Sequence, residues 1–153
     1  MSKAFTKEDD AAQEASLPVR AISPHPNLVT GEGFAHIEAA IAKLAEEQAG
    51  ARAAGDAEAA ASAARDLRYW SARRATAQLT EPKPSSQVQF GSRVAIKRAD
   101  GLTRAYRIVG TDEGDPAPGT LSYASPLAQA LMGKEIGDTV VVGAREQEII
   151  GVA

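Results

Sequence analysis

The chain has 153 residues, no cysteine, two histidines and a formal net charge of −3. Disulfides, thiolate metal sites and cysteine nucleophiles are excluded, and neither His25 nor His36 is spaced against a second ligand, so a zinc site is not expected. The acidic balance opposes coating of nucleic acid by bulk electrostatics, no apolar run approaches the roughly 20 residues that span a bilayer, and the start MSKAFTKEDD lacks the apolar centre of a signal peptide; a cytoplasmic protein with protein partners is expected.

Residues 1–27 are polar, contain Pro18, Pro24 and Pro26, and show no periodic apolar face, which predicts a flexible or loosely docked tail. The character changes at Leu28, and Thr30 stands where its hydroxyl can cap a helix. Phe34, Ile37, Ile41 and Leu44 then recur at three- and four-residue steps, a narrow stripe that suits contact with one other helix. His36 reads as an exposed position on that helix. Gly55 and Asp56 interrupt the pattern, Gly55 supplying a left-handed turn and Asp56 an acceptor for the amides of the next helix.

A second helix is predicted from about Ala57 to Gln78, with Ala60, Ala63, Leu67, Trp70, Arg74 and Ala77 as the matching seam. The expected product is an antiparallel hairpin over 28–80, each arm about 33 to 36 Å long. Its second arm is basic through Arg65, Arg68, Arg73 and Arg74, and its first acidic through Glu32, Glu38, Glu46 and Glu47, so cross-arm pairing follows. Residues 81–86 read as a linker containing Pro82 and Pro84.

From 87 to 153 the period changes. Val88, Phe90, Val94 and Ile96, then Tyr106, Ile108 and Val109, then Val140 to Val142, then Ile149 to Val152 are β-branched or aromatic runs, and at least four strands are expected. SPLAQALMG reads as one short helix in which Ser125 caps, Pro126 takes the first position, Gly133 ends it, and Leu127, Leu131 and Met132 face the sheet. The fold class is α+β: a helical hairpin followed by an antiparallel sheet packed on a single short helix. Asp112, Glu113 and Asp115 make an acidic turn with no more required of it than to keep a loop solvated.

The order RIVG, DE, SP, GK and GD, together with LVTGEGFAHIEAAIAKL, YRIVGTDEGDP and SPLAQALMGKEIGD, resembles the Gre family of transcription elongation and transcript-cleavage factors (GreA and GreB). The resemblance implies an N-terminal coiled coil and a C-terminal domain similar to FK506-binding proteins. It implies a partner, bacterial RNA polymerase, gripped by the globular domain while the hairpin enters the secondary channel; nascent RNA and DNA would be met only inside the elongation complex. Such a protein is not itself an enzyme: it has no cofactor of its own and shares Mg with the polymerase active site if cleavage is stimulated. A monomer with no membrane contact is expected.

In the family the tip motif GDLSEN supplies an Asp and a Glu. Here GDAEAAAS keeps Gly55 and Asp56, but Ala59 and Ala60 occupy the Glu and Asn positions, and Glu58 falls one residue early, turned by about 100° on a helix. The arms also read about two turns shorter than in the family, roughly 11 Å of reach. The implied catalytic pair is Asp56 and Glu58, with Asp56 the metal ligand, and weak or no stimulation of cleavage is expected; the alternative role of Asp56 is a helix cap. Polymerase docking is assigned to Ser125, Pro126, Leu127, Leu131, Gly133, Lys134, Gly137 and Asp138, with core packing the alternative for Leu127 and Leu131. Further alternatives are an active cleavage factor, a regulator of nucleoside diphosphate kinase, and a peptidyl-prolyl isomerase. The last would need an aromatic-lined pocket from Phe90, Tyr106 and Tyr123.

Overall fold

In the computed structural model, the structure describes residues 17–113 and 119–153. Residues 1–16 of the expected tail, and Asp115 of the acidic turn, lie outside the described residues. The chain divides into a helical unit, holding Phe34–Ala77 and the segment that ends at Pro24, and a β-rich unit of His25–Gly33 with Gln78–Ala153.

Helix α1 runs Gly31–Ala53 and helix α2 runs Ala57–Thr76. They are antiparallel, because His36 near the start of α1 lies edge-on to Trp70 near the end of α2, at 5.6 Å between ring centroids. Glu38 likewise pairs with Arg74 at 3.6 Å, so one of the expected cross-arm bridges forms. Both partners are about half exposed, so the pair adds little stability, within about 0 to 1 kcal/mol.

The apolar stripe of α1 is anchored by Ile37, which is 1% exposed, whereas Phe34, Ile41 and Leu44 are half-buried. On α2 the buried surface is wider than a two-residue seam. Ala61 and Ala64 are buried as well as the expected Ala60 and Ala63, and only alanine lets neighbouring positions on more than one side of a helix be covered at so small a volume. At the far end Arg73, not the expected Arg74, is the buried arginine. A hydrophobic pattern thinned to alanine marks a face poorly, so the covered side of α2 is broader than the expected seam and at its end takes in Arg73 in place of Arg74.

The hairpin is not a free 28–80 element. Leu28–Val29 forms strand β1 and Gln78–Leu79 forms β2, a parallel pair in register Leu28↔Gln78 and Val29↔Leu79. Gln78 N–H donates to the Asn27 carbonyl at 2.8 Å and Thr80 N–H to that of Val29 at 2.9 Å. The second helix therefore stops at Thr76, short of Gln78. Two-residue strands carry no sequence signature that distinguishes them from coil.

Within the described part of the tail, residues 17–27, specific contacts form. Tyr123 O–H donates to the Pro26 carbonyl, and the His25 ring meets that of Tyr123 edge-on. In the helical unit Arg20 pairs with Asp66.

The β-rich unit is built from β3 (Arg93–Arg98), β4 (Thr103–Val109), β5 (Thr120–Ser122), helix α3 (Pro126–Leu131), β6 (Thr139–Val142) and β7 (Arg145–Val152). Strand order is β5-β4-β3-β7-β6. All neighbours are antiparallel except β4 and β5, which run parallel. That exception corrects the wholly antiparallel expectation, and β5 itself, three residues of Thr-Leu-Ser, was not anticipated.

One sheet face and α3 enclose Val88, Phe90, Val94, Ile96, Ile108, Tyr123, Ala128, Leu131, Val140 and Ile149. Alternation along β3 puts Val94 and Ile96 inward and Arg93 and Lys97 outward. Phe90 and Tyr123 pack edge to face at 5.6 Å inside this core.

Candidate functional site

Three local structures hold the candidate residues. At the hairpin tip, Gly55 N–H donates to the Arg52 carbonyl at 3.1 Å and Asp56 N–H to that of Ala51 at 2.9 Å. With φ of 73° at Gly55, this is a Schellman closure, and a Cβ there would be strained by the left-handed backbone. Asp56 caps α2, its Oδ1 accepting from Ala59 N–H at 3.0 Å. Glu58 lies in the first turn of α2, and both carboxylates are exposed. Among the described residues no three His, Asp or Glu side chains come together in a way that could hold a metal.

The second structure is the turn from α3 into β6. Ser125 Oγ accepts from Ala128 N–H at 3.3 Å and Pro126 opens the helix, as the Ser-Pro pair predicts. Leu131 is fully buried, and so is Ala128, which the sequence reading had not singled out. Leu131 therefore leaves the expected docking patch and joins the core, while Leu127 is half-buried. Pro126, Lys134, Gly137 and Asp138 are exposed and Ser125 is partly so.

The loop between Gly133 and Asp138 is tied down at both ends. Gly133 N–H donates to the Val88 carbonyl at 2.7 Å and Val88 N–H to that of Lys134 at 2.8 Å. Gly137 N–H donates to the Ile149 carbonyl, and Ile149 N–H to that of Asp138, both at 2.8 Å. Asp138 Oδ2 closes the turn by accepting from Glu135 N–H at 2.8 Å. The constraint matters because it holds Ile136 out in solvent, 61% exposed. A fixed, exposed isoleucine loses little conformational entropy on docking. It was missed because an isolated apolar residue between polar neighbours carries no periodicity; its position between two turn glycines was the available signal.

The third structure gives the acidic turn a specific role. The Glu113 carboxylate accepts from Gly110 N–H at 2.9 Å, from Thr30 N–H at 3.2 Å, and from the Thr30 hydroxyl. The Thr30 oxygen in turn accepts from Gly33 N–H at 3.0 Å, capping α1. A carboxylate at a helix N-terminus is favoured by the dipole as well as by these donors. Glycine is needed around it: a Cβ on Gly33 would overlap the Glu113 carboxylate, and one on Gly110 would lie 2.5 Å from the Leu28 carbonyl oxygen. Glu32, also in the first turn, pairs with Arg107 of β4 and not with the second arm. Glu113 is thus a fastening for the start of α1, not a solvating charge; two glycines in a first helical turn were the clue in the sequence.

Comparison with known proteins follows this geometry. Residues 83–152 match the family model described as transcription elongation factor GreA/GreB, C-terminal. GreB of Pasteurella multocida is 41% identical over 80 residues, 51% of each chain. GreA of Nitratidesulfovibrio vulgaris is 47% identical over 72 residues, 44% of this chain and 45% of that one. The chain spans about half the length of the curated relatives it matches. Among solved structures, a GreA/GreB factor from Nitrosomonas europaea overlays with a TM-score of 0.42 at 18% identity, covering 83% of this chain and 98% of that one. Over residues 83–152 the chain is therefore similar to the C-terminal domain of the GreA/GreB transcription elongation factors.

Proposed function

We propose that this chain is a transcription elongation regulator that docks on bacterial RNA polymerase through the α3-to-β6 turn and places its helical hairpin in the secondary channel, with weak or no stimulation of transcript cleavage. The observation that carries the reading is the contrast in completeness between the two sites. The turn offers Pro126, Lys134, Ile136, Gly137 and Asp138 on a hydrogen-bonded frame. The tip offers Asp56, already engaged as a cap, and Glu58, with Ala59 and Ala60 following.

Two-metal hydrolysis asks a factor to add carboxylates that hold a second magnesium ion and orient a water. An Asp that accepts from the backbone of its own helix, and a Glu turned by about 100° from the family's position, supply those ligands poorly. Docking needs none of this.

Titration of the purified chain into stalled, backtracked polymerase with magnesium tests the reading, with complex formation and RNA length followed together. The expected result is saturable binding with RNA shortened no faster than by polymerase alone. Rapid shortening that is lost in Asp56→Asn would establish the cleavage-factor alternative in its place, and absence of binding would remove both.

A further inference from the structure

Building on the elongation reading above, we propose that residues 17–24 form a strap on the helical unit, clasped to α2 by Arg20, which holds the hairpin back from full entry into the secondary channel until the clasp opens. The strap lies ahead of Leu28, where the first segment resembling the Gre family begins.

The strap takes no helix or strand, yet it is held in place. Leu17, Arg20 and Ser23 are half-buried at three-residue steps, and the residues between them are exposed. That is the spacing of an extended segment of polyproline type with one face laid on a support, and Pro18 and Pro24 restrict the backbone toward such a shape. The Arg20 guanidinium lies over the Tyr69 ring, 3.9 Å from its centroid and 5.8 Å from that of Trp70, and pairs with Asp66 at 3.3 Å. All three partners belong to α2. Arg20 is the only charged residue of 17–24, so one side chain supplies the electrostatic hold.

The place of the clasp on the arm gives it a consequence. At 1.5 Å per residue, Asp66 and Tyr69 stand about 15 and 20 Å along α2 from the Asp56 cap, near the middle of the arm. An extended segment laid on packed helices adds roughly 5 to 10 Å of thickness. A channel that admits a two-helix arm then stops the strapped one about 15 Å behind its tip, and the rest follows only when the strap leaves α2.

The hold is reversible. The Arg20 and Asp66 side chains are 38% and 25% exposed, and a cavity of about 150 Å³ lined by residues of both strap and helix remains between them; unfilled space forfeits contact. Arg65 Nε reaches the same Asp66 oxygen at 3.3 Å, so departure of Arg20 leaves the carboxylate still paired and lowers the cost of opening. A part-exposed ion pair with a stacked arginine biases such an equilibrium by about tenfold without locking it. With about nine molecules in ten strapped, apparent affinity for the channel falls about tenfold.

Two measurements on the full chain test the strap. Without polymerase, tryptic cleavage after Arg20, followed by mass spectrometry, reports opening, and Asp66→Asn should speed it by about tenfold. With stalled, backtracked polymerase, Asp66→Asn and Arg20→Gln should each bind about three- to tenfold more tightly than the parent, with unchanged circular dichroism. Arg20→Lys, which keeps the charge but loses the planar stack, should fall between. Cleavage after Arg20 no faster in Asp66→Asn would show that there is no clasp. Affinity equal to or below the parent's in both variants would show that the segment only stabilises the hairpin. If parent and variants bind alike, the strap alone is overturned and the elongation reading stands; if none of them binds, both are overturned.

Discussion

The hairpin tip and the α3-to-β6 turn are both short, glycine-dependent reversals, yet they are stabilised in opposite ways. At the tip every hydrogen bond spans five residues or fewer: Gly55 to Arg52, Asp56 to Ala51, Ala59 to Asp56. In the turn the decisive bonds reach across the domain, from Gly133 to Val88 and from Gly137 to Ile149. The comparison teaches that a locally closed reversal can present polar groups on the end of an arm, whereas holding an apolar side chain such as Ile136 in solvent takes a frame supplied by the folded domain.

The contrast can be broken or sharpened by mutation. The largest effect is expected where the turn's frame is anchored. Ile149→Ala removes a fully buried side chain whose backbone also bonds to Gly137 and Asp138. It should cost about 2 to 5 kcal/mol in urea denaturation; a loss under about 1 kcal/mol would mean the frame does not depend on the core.

Gly33→Ala comes next. Overlap with Glu113 should cost about 1 to 3 kcal/mol, and the added Glu113→Ala change should return part of that loss. Strictly additive losses in the double-mutant cycle would show that the two residues do not touch.

Ile136→Ser acts on function rather than stability. With a side chain 61% exposed, its unfolding free energy should change by no more than about 0.5 kcal/mol, while affinity for polymerase should fall by about tenfold. Equal affinity would move docking away from the turn.

The smallest effect belongs to the tip. Asp56→Ala removes a single exposed cap bond and should cost about 0.5 to 1 kcal/mol of helix stability, with polymerase affinity unchanged. A large loss of affinity would make Asp56 a contact residue rather than a cap.

Wherever a feature arises from residues close along the chain, the sequence by itself determined it. The 3.6-residue recurrence from Phe34 to Leu44, the Gly55-Asp56 reversal, the Ser125-Pro126 helix start and the β-branched runs of β3, β4, β6 and β7 each result from local sterics and short hydrogen bonds. Tertiary structure alone decided the pairing of β1 with β2, the addition of β5, the burial of Arg73, the fastening of Thr30 by Glu113, and the exposure of Ile136. These depend on which distant groups the chain path brings together: Thr30 and Glu113 are 83 residues apart. Neither residue type nor periodicity encodes such a meeting, because its free energy exists only once both segments are already in place.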